Sequence, residues 1–237
     1  MKSLPLIATS GLLLASSGTL AQQTLIKADA YVDVKNGETV QYVAVLIEDN
    51  KILEVGRQGQ VQAEPNAKII DLSGKTLVPG LMDMHVHLQG QLGPNRDRDA
   101  LKMSSQLMQM RSLMYAQKTL QAGFTTVRDA GSRSQEMYAL RDAINNGWVT
   151  GPRIIAAGGV GITGGHADVS GMKPELMKFY TDESVCDGPY DCRRAARDAI
   201  KYGADLIKIT STGGVMTDRA TGTGQQMEMD ELREVVR

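Results

Sequence analysis

Pro79-Gly80-Leu81-Met82-Asp83-Met84-His85-Val86-His87-Leu88 contains two of the chain's three histidines, one residue apart. Read as a β-strand, the alternation of side chains puts His85 and His87 on one face and Met84, Val86 and Leu88 on the other. Two neutral imidazoles on one face form half of a transition-metal site, most often for zinc. The alternative, from these residues alone, is a pair of hydrogen-bonded histidines at a strand end with no metal.

The segment before this strand reads as short β-strands. Residues 24–34 run to Lys35-Asn36-Gly37-Glu38, where Asn-Gly signals a hairpin, and Tyr42 to Glu48 returns. Asp49-Asn50-Lys51 turns the chain again, followed by strands at Ile52–Gly56 and Ala67–Leu72, with Gln58 to Pro65 as a loop. Residues 22–78 are therefore expected to form a small antiparallel, β-sandwich-like N-terminal domain.

After residue 80 strands alternate with helices, the pattern of βαβ units and a parallel sheet. The expected order is a helix over Asp99–Gln121, a strand over Phe124–Gly131 and a helix over Ser134–Asn146. A strand over Arg153–Gly158, a long loop from Gly159 to about Asp191 and a helix over Cys192–Tyr202 follow. A strand over Asp205–Thr210 and a Gly/Thr-rich loop lead to a helix starting near Glu228, which has acidic residues in its first turn. The methionines at 103, 108, 110 and 114 are most simply core filler. Four strand–helix units make half of a (β/α)8 TIM-type barrel, over residues 79–237. The chain is expected to be the N-terminal part of a larger protein, or a fragment of one.

Active-site groups of such a barrel sit at the C-terminal ends of its strands. That rule gathers His85, His87, Asp129, His166 and Lys208 at one mouth, although sequence scatters them. Lys208 is flanked by Leu206, Ile207 and Ile209. Burial disfavours an ammonium, and a neutral lysine amine can take up carbon dioxide as a carbamate, an oxygen ligand able to bridge two metals. The alternative is a strand-end lysine reaching solvent or pairing with an acid.

Val78 to Leu88 resembles the first barrel strand of the amidohydrolase superfamily, and the β-module before it resembles that superfamily's small N-terminal domain. Thr126-Val127-Arg128-Asp129-Ala130-Gly131, Gly161 to Asp168, and Gly203 to Ile209 with Gly213-Gly214-Val215 resemble its imidazolonepropionase-related branch, which includes Xaa-Pro and Xaa-Arg type dipeptidases. The resemblance runs from about residue 24 to the end. It implies that His85 and His87 hold the more buried metal and that Lys208 is the carboxylated bridging ligand. It places His166 near the substrate carboxylate or carbonyl and leaves Asp129 a structural or supporting role. Two more histidine ligands and an aspartate acting as general base are expected beyond residue 237, so this stretch alone is expected to be inactive. The implied activity is metal-dependent hydrolysis of amide bonds, with two Zn2+ per site or other divalent metals. The expected enzyme is an exported dipeptidase of Xaa-Pro or related type. A cyclic amide or lactone hydrolase on the same scaffold and a non-catalytic truncated fragment stay open as alternatives.

Composition bounds the partners. The 26 Lys plus Arg balance 27 Asp plus Glu, which argues against nucleic acid and leaves a small-molecule or dipeptide substrate as the expected partner, with a homo-oligomer allowed. Residues 1 to about 21 read as a secretory signal peptide, with Lys2, a short apolar run and Thr19-Leu20-Ala21. The alternative is a buried N-terminal helix. The run is too short to span a bilayer, so no membrane span is expected after signal cleavage. The protein is expected to be periplasmic or secreted. Cys186 and Cys192 are the only cysteines. In an oxidising compartment they are expected to form a disulfide; free thiols are the alternative.

Overall fold

The computed structural model describes residues 22–169, 171–180, 184–215 and 222–237. The signal-peptide reading over residues 1–21 lies outside the described residues. The chain divides into two compact units at Pro79/Gly80.

The first unit is one four-stranded sheet: β1 (Gln23–Asp33), β2 (Glu38–Glu48), β3 (Lys51–Arg57) and β4 (Lys68–Leu77), in the order β3-β2-β1-β4. Both expected hairpins form. Gly37, at φ 74°, donates to the Asp33 carbonyl, and the Asp33 carboxylate accepts the Lys35 and Asn36 N–H groups. Asp49 and Asn50 both have positive φ and join β2 to β3 in two residues, as a type I′ turn needs. The sheet is mixed, not antiparallel, because β4 runs parallel to β1 after the 58–67 connection. Ala28 and Val43 are fully buried, with Ile26, Tyr31 and Leu77 packed against them.

The second unit alternates strands and helices: β5 (Leu81–Val86), α1 (Arg96–Lys102), α2 (Ser105–Gln121), β6 (Phe124–Asp129), α3 (Ser134–Asn145) and β7 (Arg153–Ile162). It continues with α4 (Pro174–Met177), β8 (Val185–Cys186), α5 (Pro189–Lys201), β9 (Leu206–Ile209) and α6 (Met229–Val236). Among the described residues the named strands pair in parallel, β5 to β6, β6 to β7, and β7 to both β9 and the short β8. Two apolar clusters hold the helices to the sheet. Ala116 of α2 and Met137, Tyr138 and Leu140 of α3 pack on Leu88, Val127, Ile154 and Ala156. Cys192, Ala195 and Ala196 of α5 pack on Val160, Cys186 and Met227. A large apolar side chain fully buried in this way, such as Met137, contributes about 1.5–3 kcal/mol.

Two expectations are corrected and one is met. The helix expected over 99–121 is two helices, because Ser104 caps α2 with its hydroxyl accepting the Leu107 N–H, and Met103 is extended. β7 continues past Gly158, which lies so close to Ala199 and Ala204 that a side chain would not fit. Part of the expected 159–191 loop is thus strand, paired with β8. Cys186 and Cys192 form a disulfide with S–S 2.05 Å and Cα–Cα 4.8 Å, which ties β8 to the first turns of α5. Among the described residues, no helix is long and apolar enough to cross a membrane.

Candidate active site

The histidine-bearing strand pairs irregularly with β6. Leu81 lies opposite Phe124 and Met82 opposite Thr126, which leaves Thr125 as an extra residue on β6. Asp83 then lies opposite Val127 and Val86 opposite Asp129. Three steps on β5 match two on β6, so Met84 and His85 together face Arg128: a one-residue bulge. Residues opposite each other in a ladder project from the same face, because neighbouring strands pleat in phase. Val86, Leu88 and Val127 all belong to the core under α2 and α3. The bulge shifts the alternation by one, so His87 faces away from that core.

Two backbone groups at the bulge have side-chain partners. The His85 N–H donates to Asp83 Oδ1 at 3.0 Å, and Arg128 Nε donates to the Met84 carbonyl at 2.7 Å. The two imidazoles end with ring centroids 5.3 Å apart and planes tilted by 53°. Gly131 lies under the second of them: a Cβ there would stand 2.6 Å from His87 Cε1.

Lys208 comes from β9, with Gly159 of β7 as its ladder neighbour. Ile207 and Ile209 pack in the second apolar cluster, so Lys208 projects from the opposite, inner face. Two strands separate β9 from β5, about 14 Å in a flat sheet. Lys208 is nevertheless the foremost influence lowering the His85 pKa, with partial burial, His87 and Arg128 acting the same way and Asp83 opposing them. The lowered pKa keeps His85 neutral, the form that offers a lone pair to a metal. Lys208 is half-buried, less enclosed than an all-apolar strand implies.

His166 has partners on the loop after β9. Its N–H donates to Gln226 Oε1 at 2.8 Å, and its ring covers Gly214, where a side chain would overlap it. The loops after β7 and β9 are thereby joined. Asp129 is 2% exposed, and its carboxylate accepts from the Leu88 N–H at 2.7 Å, the Gly131 and Ser132 N–H groups and the Ser132 hydroxyl. It fixes the backbone that leaves His87. Asp129→Ala is expected to cost about 2–4 kcal/mol in urea unfolding, since buried N–H donors lose their acceptor, and Asp129→Asn less.

A cleft of about 310 Å3 lies beside His87, walled by Tyr115, Lys118 and Thr119 of α2 and by Gly90 and Gln91; His85 and Lys208 do not line it. Among the described residues, no three His, Cys, Asp or Glu side chains gather closely enough to hold a metal. The donors present fit one in part: two imidazoles on one strand end, one of them biased to its neutral form, with a lysine facing them that carboxylation would turn from cation to ligand. Asp83, Arg128, Gly131, Gly214 and Gln226 were not singled out by sequence reasoning. Arg128, next to Asp129 in sequence, lacked the all-apolar flanks that drew notice to Lys208.

Residues 76–237 match the model of the amidohydrolase family. Ochratoxinase of Aspergillus niger is 27% identical over 244 residues, covering 94% of this chain and 49% of that protein. A crystal structure of a Xaa-Pro dipeptidase with methionine bound in its active site is 35% identical, with a TM-score of 0.81 over 91% of this chain and 53% of that one. A prolidase complexed with N-methylphosphonate-L-proline is 32% identical, with a TM-score of 0.74 over the same 91% of this chain and 53% of its own. The chain spans about half the length of these relatives.

Proposed function

The chain belongs to the amidohydrolase family, and from that premise we propose that the full-length protein is an exported, zinc-dependent dipeptidase of Xaa-Pro or related type. The observation that carries the hydrolytic reading is the His85–His87 pair, with ring centroids 5.3 Å apart, together with Lys208 on the inner face of the same sheet, opposite the apolar cluster that holds Ile207 and Ile209. The likeness to a Xaa-Pro dipeptidase and a prolidase supports the dipeptide substrate.

In this reading His85 and His87 would hold one divalent ion, and Lys208 would bridge to a second after its amine adds to carbon dioxide. That addition forms an N–C bond, releases a proton and leaves a carboxylate. When bound, a metal of this kind supplies Lewis acidity and a lowered water pKa. The protein's own residues set the geometry. The bulge in β5 turns the imidazoles inward, Gly131 leaves room for the His87 ring, and Asp129 fixes the chain beyond it. His166, whose N–H is held by Gln226 and whose ring is seated on Gly214, would contact the substrate carboxylate or carbonyl.

The test is a substrate panel run on periplasmic and cytosolic fractions of cells producing the full-length protein. Chelator-sensitive hydrolysis of Xaa-Pro or other dipeptides, in the periplasmic fraction, is the expected result. Turnover of cyclic amides alone would shift the reading to a cyclic amide hydrolase. No hydrolysis of any amide would remove the enzymatic reading, and activity confined to the cytosol would remove export.

A further inference from the structure

The structure assigns to Arg128 and Asp83 a positioning role: they clamp the one-residue bulge at Met84–His85 that turns the histidine pair to the inner face of the sheet. The assignment rests on the metal-site reading above and extends it to two residues that need touch neither metal nor substrate.

The phase of β5 carries the argument. Leu81 and Asp83 pair with Phe124 and Val127, both packed in the core under α2 and α3. Strict alternation from there would send His85 and His87 to that same side and would turn Val86 and Leu88 out of the core. The extra residue reverses the phase. Bulges are rare in parallel pairs and leave ladder groups unpaired. Here two side chains of opposite character meet one backbone donor and one backbone acceptor of the bulge: the Asp83 carboxylate takes the His85 N–H, and the Arg128 guanidinium gives to the Met84 carbonyl.

The position of Arg128 would otherwise be hard to understand. On β6 it lies between Val127 and Asp129, which belong to the helix side, so it projects toward the histidines. A cation there opposes the binding of another cation. Its bond to Met84 accounts for its place: it acts on the backbone that aims His85, not on the ion.

The experiment uses the full-length protein and measures zinc affinity by chelator competition, the visible spectrum of the cobalt-substituted form, and the apo-protein melting temperature. Arg128→Met and Asp83→Ala are each expected to weaken zinc binding about ten- to a hundredfold and to shift the cobalt bands. Arg128→Lys and Asp83→Asn, which keep the donor and the acceptor, should stay close to wild type. Charge alone predicts the opposite for Arg128→Met, since removing a positive neighbour tightens cation binding. Unchanged or tighter binding in Arg128→Met, with an unshifted cobalt spectrum, overturns the assignment. If Arg128→Met does not fold, the Asp83 pair decides: equal affinities for Asp83→Ala and Asp83→Asn overturn it. A wild-type protein that takes up no metal overturns the functional reading, and this assignment with it. Normal wild-type uptake with indifferent variants overturns the assignment alone.

Discussion

Hydrolysis by the full-length protein is expected to fall by about two to four orders of magnitude in His85→Ala, together with metal uptake. The figure follows from several kcal/mol of transition-state stabilisation by a bound metal, at about 1.4 kcal/mol per tenfold in rate. His85 is exposed and lies outside both apolar clusters of this unit, so its loss removes no core packing. A preserved circular-dichroism spectrum with metal content near zero by elemental analysis is the signature of a lost ligand. A His85→Ala protein that still carries metal and turns over substrate refutes the site.

The second large effect belongs to the lysine. Lys208→Ala is expected to lose activity to a similar extent and to regain part of it in added acetate or propionate. The freed space beside Gly159 admits a small acid whose oxygens replace those of the carbamate. Lys208→Arg keeps the positive charge, forms no carbamate and fills that space, so it is expected to stay inactive with or without the acid. Unchanged turnover in Lys208→Ala would return Lys208 to the simpler role of a strand-end cation reaching solvent.

Much of the architecture was legible because it rests on local rules. Asn36-Gly37 and Asp49-Asn50 turn where their residues permit positive φ. Gly123 and Gly203, both at positive φ, follow the ends of α2 and α5, next to the helix ends expected at Gln121 and Tyr202. What local rules could not supply is pairing. The parallel course of β4 along β1 depends on a partner some 40 residues earlier, not on any turn. Gly158 of β7 looks like a strand end, yet the strand continues and Ala199 and Ala204 crowd its backbone.

The site divides along the same line. The His-x-His spacing and the lysine in an apolar strand marked three residues from their types alone. Their common face was also read from simple alternation, but the route to it was different: the strand slips by one residue at Met84–His85. No periodicity rule contains that slip, because it shows only against β6. Asp129 was placed at the mouth on strand position, and its four hydrogen bonds show a carboxylate engaged with backbone and Ser132. His166 was grouped with the others by strand order, and its N–H and ring meet Gln226 and Gly214 of the loop after β9.

The inward-facing imidazoles and the amine sit on strands β5 and β9, which have no ladder in common and meet only through β6 and β7. Closing so long a stretch of chain is slow and entropically unfavourable until the intervening strands have zipped together. The constellation therefore cannot exist in a partly folded intermediate that lacks β9. Its formation is a late event in self-assembly, a clock that runs out only when the last of these strands has docked.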